Sequence, residues 1–215
     1  MAKKMDTSLE KRDFDKDASQ WDDNPGRVKV AADIAGAMIA EIPLTKELNI
    51  LDFGCGTGLV TLALQPFVRS ITGIDSSPGM LDVLNRKISE RGLSNVRTQH
   101  LDMDHGGNLS GLYHLVVSSM TLHHIREINP LLKQFYQILR PSGILCIADL
   151  DEDGGRFHES NDGVFHYGFS REALARQFEE AGFQNVRTVQ AAAVEKPVAG
   201  GASHLFTIFL IIGIK

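Results

Sequence analysis

Hydrophobic and polar positions change period several times along the chain. In residues 24–42, "NPGRVKVAADIAGAMIAEI", Ala31, Ile34, Ala35, Met38 and Ile42 recur at helical spacing. Short strand-like runs follow: "LNILDF" (48–53), "SITGID" (70–75), "NVRTQHLD" (95–102), "YHLVVSS" (113–119) and "ILCIADL" (144–150). Helical patterns separate most of them. "SSPGMLDVLNRKISERG" carries a serine cap, Pro78 in its first turn, Leu81, Leu84 and Ile88 on one face, and Gly92 as a stop. "INPLLKQFYQILRPSG" sets Leu131, Leu132, Phe135, Ile138 and Leu139 at helical spacing before Pro141. "SREALARQFEEAGF" opens on Ser170 as cap and stops at Gly182. Alternating strands and helices predict a doubly wound, mostly parallel α/β sheet covered on both faces. The end breaks this rhythm. "NVRTVQAAAVEK" and "HLFTIFLIIGIK", joined by "PVAGGAS" with no helix between them, predict an antiparallel C-terminal strand pair at the sheet edge.

Composition adds bounds. The chain has 215 residues, 43% hydrophobic and 23% charged, which suits one core and a single domain. A formal charge of -5 offers no broad phosphate-binding surface, so nucleic acid is not expected as a partner. Cys55 and Cys146 stand far apart without CxxC spacing, which fits a reducing, cytoplasmic setting. The first residues are too polar for a secretory signal and the apolar tail is too short to span a bilayer as a helix, so no membrane partner is expected. No pattern fixes an oligomeric state. Residues 1–24 read as a mobile segment or lid and 25–47 as an N-terminal helical segment. Residues 48–150 read as a ligand-binding core, 151–169 as a substrate loop, and 170–215 as a helix with the terminal strand pair.

Candidate chemistry begins at "LDFGCGTG". Gly54, Gly56 and Gly58 leave the first strand at the sheet edge where ligands bind in doubly wound folds. Glycines there let a ligand touch backbone, and the helix behind them presents free N–H groups. Asp75 ends the next strand, about the spacing of a ribose-binding acid in nucleotide folds. The pattern is GxGxG rather than the GxGxxG of dinucleotide sites, and position 59 is Leu. Asp52, just ahead of the loop, would repel a pyrophosphate and welcome an ammonium group.

"LDFGCGTG", "ITGIDSSPGML" and "RTQHLDMD", in this order, resemble the class I S-adenosylmethionine-dependent methyltransferases over roughly residues 48–150, and the terminal strand pair extends the resemblance to the end. The resemblance implies the Rossmann-like methyltransferase fold, a seven-stranded sheet with the last strand antiparallel, and S-adenosyl-L-methionine as cofactor. It implies that Asp52, Gly54, Gly56 and Gly58 line the methionine and ribose part of that cofactor. Asp75 would hold the ribose hydroxyls, with Ser76 and Met80 bordering the nucleoside. Asp102 would meet the adenine amino group, with Met103 against the ring. Ser118, Ser119 and His123 would sit near the sulfonium and the substrate entrance. The first segment, with Trp21, would close over the cofactor or anchor the first helix.

The acceptor is expected to be a small molecule. Neither (N/D)PP(Y/F) nor a Pro-Cys nucleophile is present, which disfavours nucleobase amino and cytosine C5 chemistry. In "SSMTLHHI", adjacent His123 and His124 are expected to point to different sides and so not to make a metal pair. In "DLDEDGGRFHESNDGVFHYGFS", Asp149, Asp151, Asp153 and Gly154 mimic the opening of an EF-hand loop, but position twelve is Ser160 rather than Glu, so calcium is not expected. No metal is expected elsewhere. That loop instead reads as a substrate loop. His158 and His166 join His123 as catalytic candidates for a general base. Two other readings stay open: a non-catalytic S-adenosylmethionine-binding protein and a nicotinamide-dependent oxidoreductase.

Overall fold

A computed structural model describes residues 12–197 and 203–215. Residues 1–11 of the expected mobile segment, and most of the "PVAGGAS" connection, lie outside the described residues. Seven strands form one sheet: β1 (Asn49–Phe53), β2 (Ser70–Asp75), β3 (Val96–His100), β4 (Tyr113–Ser119), β5 (Leu139–Leu150), β6 (Gln184–Pro197) and β7 (Ser203–Ile214). Their order is β3-β2-β1-β4-β5-β7-β6. The first five pair in parallel. β7 runs antiparallel to both β5 and β6, so the terminal pair closes one edge as expected, with β7 inserted and β6 outermost.

Side-chain alternation divides the sheet between two cores. Ile50, Leu115, Val117, Cys146, Ala148, Ile208 and Leu210 face one side, under α2 (Pro25–Glu41) and α3 (Leu59–Leu64). Their chain neighbours Leu51, Val116, Leu145, Ile147, Phe209 and Ile211 face the other, under α5 (Ile128–Ile138) and α6 (Arg171–Glu180). Adjacent strand residues point to opposite faces, and both faces are covered, so the strands read as nearly unbroken apolar runs. α4 (Pro78–Glu90) adds a smaller cluster, Leu81 and Leu84 against Cys55.

The helices start where local chemistry starts them. The Asn24 side chain accepts from Gly26 N–H at 2.9 Å and Arg27 N–H at 3.1 Å, with Pro25 at the first helical position. Ser77 accepts from Met80 N–H at 3.1 Å and Ser170 from Ala173 N–H at 3.2 Å. Each cap satisfies a donor the helix itself leaves unpaired. β5 differs from expectation: it starts at Leu139, which already pairs with Tyr113, and an irregularity precedes the regular register from Ile144. Ser142 turns there with φ 60°. The short α1 (Phe14–Asp17) and a 3-10 turn over Ala18–Asp23 precede α2.

β1 pairs with β2 on one side and β4 on the other, so the winding reverses between β1 and β4. Ligands in such sheets bind beyond the carboxyl ends of the strands at this point.

Candidate functional site

A cavity of about 670 Å³ opens at that switch point, between the loops after β1, β2 and β4 and the N-terminal segment. The glycine loop forms its floor. Gly54, Gly56 and Gly58 all have positive φ, at 71°, 52° and 84°. A Cβ on Gly54 would stand 2.2 Å from Thr121 Oγ1, so that position is glycine because β1 and the turn after β4 meet there. A Cβ on Gly56 would meet no protein atom within 4 Å, and Gly56 lines the cavity. Its missing side chain therefore leaves room for a ligand against the backbone.

Asp75 ends β2 beside this loop. Its carboxylate accepts from Gly56 N–H at 2.8 Å and Ser77 N–H at 2.9 Å, and it borders the cavity. Asp52 is buried at the end of β1 and accepts from the Thr61 hydroxyl at 2.5 Å. Burial pushes the Asp52 carboxyl up to about 7; the Thr61 bond opposes the rise and the charge of Asp75 adds to it. Ser76, Met80, Asp102, Met103 and Ser119 also line the cavity. Asp102 lies 3.0 Å from His105 Nδ1.

Ser118 does not reach the cavity. It is fully buried, and its hydroxyl donates to the Phe53 carbonyl at 2.9 Å, tying β4 to β1. Alternation along β4 sends Ser118 and Ser119 to opposite faces, and only Ser119 faces the ligand space.

The far end of the cavity carries three imidazoles. His123 is 1% exposed, and its Nδ1 lies 2.7 Å from Asp149 Oδ1, itself fully buried at the end of β5. Burial alone would raise the Asp149 carboxyl. The charge and hydrogen bond of His123, with the backbone N–H groups of Leu150 and His123, outweigh that and hold it below the usual range. His124 Nδ1 lies 2.8 Å from the Gly163 carbonyl. Its basicity is depressed to about 3, by burial first and then by repulsion from His123. His158, from the loop after β5, is held at about 4 by burial and by the positive charges of His123, Arg12 and Lys196. Among the described residues, Nε2 of His123 and Nε2 of His158 are buried with no hydrogen-bond partner.

The expectation that His123 and His124 diverge is not met: their ring centroids are 4.2 Å apart, and His158 lies 5.0 Å from His123 and 5.7 Å from His124. The cause is local. Leu122–His124 form a 3-10 turn. Successive residues in such a turn are about 120° apart rather than opposed as in a strand, so neighbouring rings can converge. His166 is not brought to the cavity. Its Nε2 lies 2.9 Å from the Ile125 carbonyl and its ring stacks 5.1 Å from Phe169, supporting the wall from outside.

The loop after β5 is tightly tied. Asp153 accepts from Gly155 N–H at 2.9 Å and Phe157 N–H at 2.7 Å. Asp151 takes a two-pronged ion pair from Arg171 and a bond from Thr207. The three acids of the EF-hand-like run thus serve three separate partners. Phe165 and His166 N–H groups donate to the His123 carbonyl, at 2.9 and 3.2 Å, which locks the loop onto the turn after β4. Over the cavity, Asp15 accepts from Ser77 Oγ at 2.5 Å and Gly79 N–H at 2.8 Å, and Asp22 pairs with Lys87 and the Thr57 hydroxyl. Trp21 lies beneath the Arg27 guanidinium at 4.0 Å. Arg12, Phe14, Trp21 and Asn24 line one side of the cavity, and Asn24 also caps α2.

Sequence reasoning missed His124 and Asp149 as members of the site. Asp149 had a signal: it is the lone charge in the apolar run "ILCIADL" (144–150), and a buried charge needs a partner.

A methyltransferase-domain family model matches residues 16–188. An uncharacterized methyltransferase, C1347.09, of Schizosaccharomyces pombe is 32% identical over 157 residues, covering 66% of this chain and 55% of the relative. The malonyl-[acyl-carrier protein] O-methyltransferase of Acetivibrio thermocellus is 30% identical over 149 residues, covering 67% of this chain and 50% of the relative. The chain thus spans about half the length of these curated relatives. Among solved structures, a SAM-dependent methyltransferase from Aquifex aeolicus superposes with a TM-score of 0.68 at 17% identity, covering 93% of this chain and 97% of the other. With a model match over most of its length, and the seven-stranded sheet that bears it out, the chain belongs to the class I S-adenosylmethionine-dependent methyltransferases.

Proposed function

We propose that the chain transfers a methyl group from S-adenosylmethionine to a small-molecule acceptor bound at the histidine end of the cavity. One observation carries this reading: a single cavity joins the open backbone at Gly56, beside the Asp75 carboxylate, to the buried, unpartnered Nε2 of His123. Its volume of about 670 Å³ lies within the usual range of ligand sites, about 300–1,000 Å³. The bound cofactor would supply an already activated methyl group on a sulfonium.

The chain's own residues then mainly bind and align. Asp75 presents carboxylate oxygens to the ribose hydroxyls while its backbone partners hold it in place. Asp52 receives the ammonium group, which favours its ionised form. Asp102 and Met103 border the adenine, Met80 and Ser76 the nucleoside, and Ser119 the passage toward the acceptor. His123, oriented by Asp149, and His158 act on the acceptor's reacting heteroatom. The lining of residues 12–24 excludes water during transfer.

The Acetivibrio thermocellus relative is by its name an O-methyltransferase, so oxygen acceptors head the panel to be tested. The two cysteines are both buried free thiols, which supports the expected cytoplasmic setting. No helix of the described residues is long and apolar enough to cross a membrane. The test is formation of the demethylated cofactor with a panel of hydroxyl, thiol and amine acceptors. Acceptor-dependent turnover supports the reading. Tight cofactor binding without turnover on any acceptor class would favour a non-catalytic binding protein.

A further inference from the structure

We propose that His123, His124 and His158 form a binding site for a divalent transition metal of the zinc class, with an open coordination position facing the acceptor end of the cavity. This replaces the expectation of no metal, which rested on divergent His123 and His124 side chains.

Three observations carry it. First, one ring nitrogen from each histidine lies within 4.8 Å of the other two. Zinc–nitrogen bonds of about 2.0–2.1 Å in a tetrahedron place ligand nitrogens about 3.4 Å apart, so small ring rotations close the set. Second, the outward nitrogens of two rings are already fixed. Nδ1 of His123 is held by Asp149 and Nδ1 of His124 by the Gly163 carbonyl, which leaves Nε2 of each for the centre. A carboxylate or carbonyl behind a ligating imidazole is the usual outer support of such metals. Third, Nε2 of His123 and of His158 are buried without a partner among the described residues, an arrangement a metal would resolve.

The surroundings suit a bound cation. The ring of Phe14 stands edge-on to His124 and that of Phe157 edge-on to His158, which shields the set from bulk water. Arg12 and Lys196 oppose a dication nearby, and the ionised Asp149 behind His123 offsets them.

Three imidazoles leave a fourth position free, the arrangement of catalytic rather than structural zinc. Resting on the methyltransferase reading above, that position would take an acceptor with an ionisable O–H or S–H, such as a phenol, enol or thiol. The heteroatom would ligate as its anion, its proton passing to solvent, and would keep a lone pair for attack on the methyl carbon. As the new bond to carbon forms, the sulfur–carbon bond breaks and its electron pair stays on sulfur.

The test uses the full chain. Its metal content is measured by plasma mass spectrometry as purified. Chelator-treated protein is then titrated with Zn²⁺ by calorimetry and with Co²⁺ by visible absorption. About one metal per chain is expected, with the intense bands of four-coordinate Co²⁺. His124→Ala and His158→Ala should abolish stoichiometric binding, and Asp149→Asn should weaken Zn²⁺ about 10–100-fold. A folded wild-type protein that binds neither ion, or alanine variants that bind as well as wild type, would overturn the site. S-adenosylmethionine affinity is measured on the same samples. Cofactor binding without metal binding overturns the metal site alone. Metal binding without cofactor binding overturns the methyltransferase reading and leaves the metal site standing.

Discussion

Replacing Asp52 with Asn separates the two roles its burial creates. The carboxyl is buried at 1% exposure and is pushed from its ordinary 3.8 to about 7. A carboxyl that binds its proton more tightly in the folded than in the unfolded chain stabilises the fold at low pH. That contribution is fully present below 3.8 and is lost as pH rises through about 7. The roughly three decades between these values correspond to about 4 kcal/mol at most. Asn keeps an acceptor for the Thr61 hydroxyl and cannot ionise. The stability difference between Asp52→Asn and wild type should therefore grow in favour of the variant from pH 4 to pH 8, by up to about 4 kcal/mol. Denaturant unfolding of both proteins at pH 4 to 8 measures this, and contributions from other groups cancel in the difference. The variant should also bind S-adenosylmethionine more weakly, having lost the partner for its ammonium group. In wild type, the affinity should fall about tenfold from pH 8 to pH 6, because the ionised carboxylate is the binding form. Parallel stability curves for the two proteins would refute the argument, since Asp52 would then titrate in the ordinary carboxyl range.

Other substitutions divide the site similarly. Gly56→Ala should fold with a penalty of about 1–2 kcal/mol from its left-handed backbone and lose cofactor affinity, because the added methyl fills the ligand space. Gly54→Ala should be the more destabilised of the two, since its Cβ would meet Thr121 Oγ1 at 2.2 Å; equal melting temperatures would contradict the assignment. His158→Ala should lower turnover on an accepted substrate by on the order of 10² or more. His166→Ala should leave turnover within a few-fold of wild type and lower the melting temperature instead, because its ring nitrogen serves the Ile125 carbonyl; steady-state kinetics beside thermal unfolding separates these outcomes.

What the sequence made legible was chiefly local. The caps at Ser77 and Ser170 each need only a side chain and a backbone N–H three residues on, and both formed where expected; Asn24 caps α2 in the same way, though the sequence reading did not single it out. The inner strands were legible because burial on both faces leaves them largely apolar, and the helix-free end marked the antiparallel pair. The glycine loop was legible as a place where backbone is left bare at the sheet edge, and it does line a cavity there, but not why each glycine is there. Gly54 answers to Thr121, sixty-seven residues away, Gly58 answers to Leu84, and of the three only Gly56 would place a Cβ in open space. The acceptor end was less legible. Whether His123 and His124 converge depends on the 3-10 turn Leu122–His124 that holds them both, which no periodicity reveals. His158 and His166 lie in one loop without a repeating pattern, so nothing local distinguished the ring that enters the cavity from the ring that supports it. Ser118 and Ser119 could have been separated: strand alternation lets only one of them face the ligand space.

The central claim is that the glycine loop and Asp75 hold S-adenosylmethionine. Calorimetric titration of the wild-type chain and of Asp75→Ala with S-adenosylmethionine, its demethylated product and NAD tests it most directly. Hydrogen bonds to a charged group are worth about 1.5–3 kcal/mol each, so loss of the carboxylate should cost at least about tenfold in affinity. Because Asp75 also accepts from the Gly56 and Ser77 N–H groups, a circular dichroism spectrum must show that the variant is folded. The account predicts one site per chain for S-adenosylmethionine and its product, at least about tenfold weaker in Asp75→Ala, with no comparable heat from NAD. Tight binding of NAD in place of these ligands, or unchanged affinity in a folded Asp75→Ala protein, would contradict it.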